Sequence, residues 1–139
     1  MRTSDLLFVY GTLRKGANHP MYNFLMKNSS FLAEASINGR LYLIDYYPGL
    51  VLSKNNSETV LGEVYRLFEP ERLLQELDEY EECGVNYLDS AEYKREIHEI
   101  TLADGTKCLA WLYLYIQPVE QLMLIESGDF ISYLQKNTR

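Results

Sequence analysis

The stretch Lys107 to Ile116, KCLAWLYLYI, reads as a strand with no polar face. Successive side chains of a strand point to opposite faces, so Cys108, Ala110, Leu112 and Leu114 would share one side and Leu109, Trp111, Tyr113 and Tyr115 the other. A strand of this kind has no side to offer to water and belongs in the middle of a sheet covered on both faces. Leu6 to Tyr10, LLFVY, has the same character over a shorter run. In a chain of 139 residues these two segments predict a single domain, 1–139, with its own core.

The remaining pattern supplies the walls. Met21 to Lys27 suits a short helix. Phe31 to Ile37 and Arg40 to Ile44 flank Asn38-Gly39, a dipeptide that predicts a tight hairpin. Tyr46 to Leu50 breaks the pattern, since Pro48 lacks a donor and Gly49 permits a turn. Thr59 to Leu67 alternates as a strand, with Val60, Gly62, Val64 and Arg66 opposite Leu61, Glu63, Tyr65 and Leu67. Pro70 suits a first helical position, which predicts a helix from Pro70 to about Glu82, ending before Gly84. Asn86 to Glu92 reads as a connecting loop. Tyr93 to Leu102 and Lys107 to Ile116 are strands joined at Asp104-Gly105. The tail from Gln117 holds enough apolar residues to pack, without a defined element. The expected fold is α+β: a small mixed, mostly antiparallel β-barrel of about six strands with two or more helices packed outside.

A net charge of −7 and a pI near 4.8 argue against nucleic acid as a partner, because phosphate-backbone affinity needs clustered Lys and Arg. No run approaches the ~20 apolar residues of a membrane span, so no membrane partner is expected. Cys83 and Cys108 form no CxxC pair, and no secretory leader is evident, which suggests a reduced cytoplasmic setting. His19 and His98 lack metal-type spacing. Surface roles are expected for both, with no metal and no cofactor. Cys83 among acidic residues is a poor nucleophile, and Cys108 is most simply core.

Two features carry chemistry. In Phe8-Val9-Tyr10-Gly11-Thr12-Leu13-Arg14-Lys15-Gly16 an apolar strand stops at a glycine, where a sharp turn would leave a row of N–H groups as an anion cradle. Gly11 and Gly16 have the spacing of a phosphate loop, but Ala17 and Asn18 replace the Lys and Ser/Thr that would contact phosphate and Mg²⁺. The same pattern also fits a plain turn. The second feature is Glu81, which falls with Leu73, Leu74, Leu77 and Tyr80 on the apolar face of the predicted helix. A carboxylate there, in the last turn and beside Glu79 and Glu82, would have a raised pKa suited to general acid or base work. If the helix frays before Glu81, the residue is instead solvated. Arg95 reads either as a buried counter-ion for Glu81 or a ligand, or as an exposed strand-end residue. Ser127-Gly128-Asp129 reads as pocket groups or as turn chemistry.

Taken together, Val9-Tyr10-Gly11-Thr12-Leu13, Tyr47-Pro48-Gly49, Gly62-Glu63-Val64-Tyr65, Leu77-Asp78-Glu79-Tyr80-Glu81, Tyr93-Lys94-Arg95 and Ala110-Trp111-Leu112-Tyr113-Leu114-Tyr115 resemble the gamma-glutamylcyclotransferase-like family, which includes AIG2-like proteins and gamma-glutamylamine cyclotransferases. The resemblance runs from Phe8 to Phe130. It implies a barrel with a pocket at one end and a small γ-glutamyl substrate bound by Tyr10, Gly11, Thr12 and Leu13, with Tyr115 reaching the same pocket. It further implies Glu81 as catalytic acid/base in a transferase or lyase reaction that forms 5-oxoproline without a cofactor. Family members often carry Gly after the glutamate, where this chain has Glu82. The competing expectation is a non-catalytic module binding a small acidic metabolite or a protein partner through the same pocket.

Overall fold

The computed structural model describes residues 4–17, 19–80 and 91–137. In chain order these form β1 (Leu6–Val9), α1 (Pro20–Lys27), β2 (Ser29–Leu43), β3 (Pro48–Leu52), β4 (Thr59–Leu67), α2 (Pro70–Tyr80), β5 (Tyr93–Leu102), β6 (Lys107–Tyr115), β7 (Met123–Leu124) and α3 (Phe130–Asn137). Five strands close a barrel in the order β2-β4-β1-β6-β5, with β5 returning to β2 through Ala35↔Leu102 and Ser36↔Thr101. β1 and β6 run parallel, and the other neighbours are antiparallel. The expected mixed barrel with helices outside is present, and β3 and β7 add a small extension on the second half of β2.

The short apolar strand Leu6–Val9 is buried on both faces and sits between β4 and β6, as its lack of a polar side requires. β6 lies between β1 and β5. Both its faces are covered at Leu112 to Leu114, whereas Leu109, near the Asp104-Gly105 turn, is exposed. Leu6, Phe8, Val64, Ile100, Ala110 and Leu112 pack inward, and Phe130 of α3 joins them at 1% exposure. The other face of β1 and β6, with Leu7, Val9 and Tyr113, is covered by Leu25 of α1 and by Leu73, Leu74 and Leu77 of α2. Each fully buried leucine contributes on the order of 1.5–3 kcal/mol relative to exposure.

The hairpin expected at Asn38-Gly39 does not form. Ser29–Leu43 is one continuous strand, whose first part pairs with β4 up to Asn38↔Thr59 and whose remainder pairs with β3 from Gly39↔Leu52 onward. Gly39 serves close approach rather than turning. A Cβ there would stand 2.7 Å from Leu50 Cδ1 and 2.8 Å from the Val51 carbonyl oxygen. The break expected over Tyr46 to Leu50 is likewise corrected, because the chain turns at residues 44–47 and Pro48 already opens β3. Proline is tolerated as a first strand residue.

The tail resolves into β7 and α3. Gly128, at φ +67°, turns the chain, and its carbonyl accepts the Leu61 N–H at 2.8 Å. No helix among the described residues is long and apolar enough to cross a membrane.

Candidate active site

The site begins where β1 ends. Tyr10 turns its side chain into the core, donating to the Tyr113 carbonyl at 2.6 Å and accepting the Leu50 N–H at 3.3 Å. Gly11 lies so close to Pro48 that a Cβ would meet its ring at 2.8 Å. The Arg14 N–H closes a turn on the Gly11 carbonyl at 3.0 Å. Within that turn the N–H groups of Gly11, Thr12 and Leu13 donate to no group among the described residues. These residues border a cavity of about 30 Å³, walled by the run from Phe8 to Leu13 and, opposite, by Pro48, Tyr93 and Tyr113. That volume is on the scale of two water positions. Tyr93 fixes the far wall by donating to the Pro48 carbonyl at 2.7 Å.

The structure therefore brings Tyr10, Gly11, Thr12 and Leu13 together as one wall. Tyr115 does not line this cavity. Its ring meets Tyr93 edge-on at 5.7 Å and packs over Gly49, and burial, with the Glu92 carboxylate nearby, pushes its phenol up. Glu81, Glu82 and Cys83 lie outside the described residues, as does most of the expected loop from Asn86 to Glu92. The helix leading to Glu81 is described as far as Tyr80, with Leu73, Leu74 and Leu77 buried as the periodicity required.

The end of α2 touches the cradle. Tyr80 Oη is 3.3 Å from Thr12 Oγ1 and 3.4 Å from His19 Nε2. His19, expected at the surface, is half-buried and caps α1, its Nδ1 accepting the Met21 N–H at 3.1 Å. With Nδ1 an acceptor, the neutral ring carries its proton on Nε2, which then points its donor at Tyr80. Two residues earlier, Asp78 accepts a fork from Arg95 (Nε to Oδ1 2.7 Å, Nη2 to Oδ2 2.9 Å) and the Tyr113 hydroxyl at 2.7 Å. Arg95 also stacks over Trp111, 4.3 Å from the ring centre. Neither reading of Arg95 named Asp78, its ion-pair partner on α2 among the described residues, and Tyr113 ties that helix to the cavity wall.

Sequence reasoning did not assign a role to Arg14 or Glu63. Both are buried, at 7% and 5% exposure. Arg14 Nε donates to Glu63 Oε2 at 3.1 Å and Nη1 to Asp129 Oδ1 at 2.8 Å. Glu63 Oε1 accepts the Lys15 N–H and the Tyr65 hydroxyl, both at 2.9 Å. The available signal was an acid on a strand face otherwise occupied by Leu61, Tyr65 and Leu67. Burial and the Glu63 carboxylate push the Tyr65 phenol far up. The Ser127-Gly128-Asp129 trio is turn chemistry with one more role, since Asp129 Oδ1 accepts the N–H of Ile131 and Ser132 at the start of α3 as well as the Arg14 donor. Burial pushes the Asp129 carboxyl up, but Ser132 and Arg14 outweigh it and hold it below the usual carboxylate range.

Residues 7–132, which run from the cradle strand into α3, match the family described as gamma-glutamyl cyclotransferase, AIG2-like. The chain belongs to this family. It is 39% identical over 128 residues to the gamma-glutamylcyclotransferase family protein ytfP of Citrobacter rodentium, covering 90% of this chain and 94% of that protein. It is 38% identical over 116 residues to a Niallia circulans protein named gamma-L-glutamyl-butirosin B gamma-glutamyl cyclotransferase, covering 78% of this chain and 65% of that one. In fold it is similar to the crystal structure of an AIG2-like protein from mouse, with a TM-score of 0.69 at 19% identity, covering 90% of this chain and 88% of the other. The family implies a small-molecule substrate, and the cavity beside the Gly11 turn has room for one small polar group.

Proposed function

We propose that the chain is an enzyme that cyclises a γ-glutamyl amine, amino acid or peptide to 5-oxoproline and releases the amine. The observation that carries this reading is the run Gly11, Thr12 and Leu13, which lines a carboxylate-sized cavity and whose N–H groups make no bond to a described residue. Thr12 is in contact with Tyr80, the residue before Glu81. Oriented backbone amides favour an anion, and the α-carboxylate of a γ-glutamyl group supplies one.

In this mechanism the amides hold the carboxylate and fold the substrate so that its α-nitrogen lies against its own γ-carbonyl. Tethering the nucleophile to the electrophile removes much of the entropic barrier. Glu81, as carboxylate, takes a proton from the α-ammonium. The freed amine attacks the γ-carbon, forming the ring C–N bond, and protonated Glu81 then gives its proton to the leaving nitrogen as the original C–N bond breaks. The ring nitrogen, which still carries two hydrogens after attack, gives up the second to the regenerated Glu81 carboxylate. That proton ends on the released amine as its ammonium, so electrons and protons balance without a cofactor. If Glu81 continues the apolar stripe at the end of the helix, as the sequence pattern expects, both surroundings would favour its protonated carboxyl.

The test compares wild type with Glu81→Gln for 5-oxoproline release from a panel of γ-glutamyl amino acids, amines and peptides, with γ-L-glutamyl-butirosin B included. Loss of the acid/base is expected to lower kcat by roughly 10²–10⁴-fold with ligand affinity retained. A wild type that binds one of these compounds yet releases no 5-oxoproline from any would sink the enzymatic reading in favour of a non-catalytic binding module.

A further inference from the structure

Beyond the cavity, the most heavily invested polar cluster in the described residues is the Glu63–Arg14–Asp129 ion triad. It lines no part of the cradle cavity. Arg14 directly follows the cradle and reaches two acids on different elements, Glu63 within β4 and Asp129 just before α3. The same Glu63 takes the Lys15 N–H on its other oxygen, while the Arg14 N–H is bonded to the Gly11 carbonyl. The turn that presents the cradle amides is thus closed at its start by Gly11 and anchored at its end by Glu63. Burying these charges is costly unless geometry and hydrogen bonds are complete. Here both Glu63 oxygens are engaged, and Asp129 Oδ2 is held by the Ser132 hydroxyl at 2.8 Å.

We propose that Glu63, Arg14 and Asp129 are positioning residues for the cradle. Through them β4 and α3 set the direction of the Gly11–Leu13 amides, and hence the affinity for the anionic end of the ligand. The ligand part of this inference rests on the cyclotransferase reading, whereas the backbone part does not.

Arg14→Lys keeps the charge but replaces a planar fork with a single donor point that cannot reproduce both contacts. Amide hydrogen exchange, followed residue by residue in the full chain, is expected to quicken about 10-fold or more at positions 14 and 15, whose bonded N–H groups close and anchor the cradle turn, relative to the core amides of Val64 and Leu112. In turnover, KM for a γ-glutamyl substrate is expected to rise about 10-fold with a smaller fall in kcat, because holding the carboxylate serves ground state and transition state alike whereas folding the substrate serves the transition state. Asp129→Asn retains an oxygen acceptor for the α3 amides and removes the charge, its NH2 taking the place of Oδ2 beside the Ser132 hydroxyl, which can turn to accept. It should shift exchange and KM in the same direction by less, and it carries the test if Arg14→Lys does not fold. Exchange at 14 and 15 that merely tracks Val64, or a fall in kcat at unchanged KM, would overturn the proposal. If the wild type shows no turnover at all, the cyclotransferase reading fails and the exchange measurement alone decides the tether.

Discussion

Gly11 sets the approach of two segments and thereby the cradle. Its φ is not in the left-handed region, since only Gly16, Gly105 and Gly128 have positive φ among the described glycines, so alanine meets no backbone objection there. The objection is contact. An added Cβ would stand 2.8 and 2.9 Å from Pro48 Cγ and Cδ, and Pro48 cannot yield easily because a strand ladder and the Tyr93 hydroxyl both hold its backbone. Gly11→Ala is expected to lose about 1–3 kcal/mol of stability, the usual range for overpacking. It should also raise KM as the amides move. Urea unfolding and steady-state kinetics would check both, and unaltered values would show that Pro48 gives way freely. Glycine is readable in a sequence, but its reason is not: Gly11 and Gly39 serve close approach, whereas Gly105, with nothing within 4 Å of an added Cβ and φ +89°, serves a turn.

Among the elements, α2 links the packing core to the site. Leu77 is fully buried between the helix and the barrel, in the same cluster as Leu13 of the cradle loop and Tyr113 of the cavity wall. Leu77→Ala is expected to cost about 2–5 kcal/mol by lost burial and an unfilled cavity. A urea midpoint shift at unchanged slope would report it, and a shift worth less than about 1 kcal/mol would mean that the helix re-seats. The helix, β4 and the β5–β6 hairpin were legible because each announces itself locally, by Pro70 and a 3.6-residue stripe, by period-2 alternation, or by Asp104-Gly105 in an exposed turn. β2 was not. Asn38-Gly39 carries a strong hairpin signal, yet β4 and β3 together offer β2 partners along its full length, and ladder pairing on both sides of Gly39 overrides the local preference for a turn.

Across the whole molecule, the Asp129 pair ties the last helix to the first loop, which makes α3 docking pH-dependent. The Asp129 carboxyl is held below its ordinary value in the folded chain. Its contribution is therefore fully present above the unfolded value of about 3.9 and is lost as pH falls through the lower folded value. Melting temperature should fall more steeply below about pH 4 in wild type than in Asp129→Asn, and parallel acid limbs would refute the assignment. The period-2 and 3.6-residue patterns determined, without any structure, that the chain is an α+β domain with α2 packed by Leu73, Leu74 and Leu77, and its ordered motifs pointed to the family and through it to a barrel. Only the tertiary structure decided that β2 runs on through Asn38-Gly39, that the tail ends in a docked helix, and that Arg14 is shared between Glu63 and Asp129, 49 and 115 positions away. The reason is physical: periodicity reports which face of an element avoids water, but the partner that satisfies a buried charge is chosen by the register of distant strands.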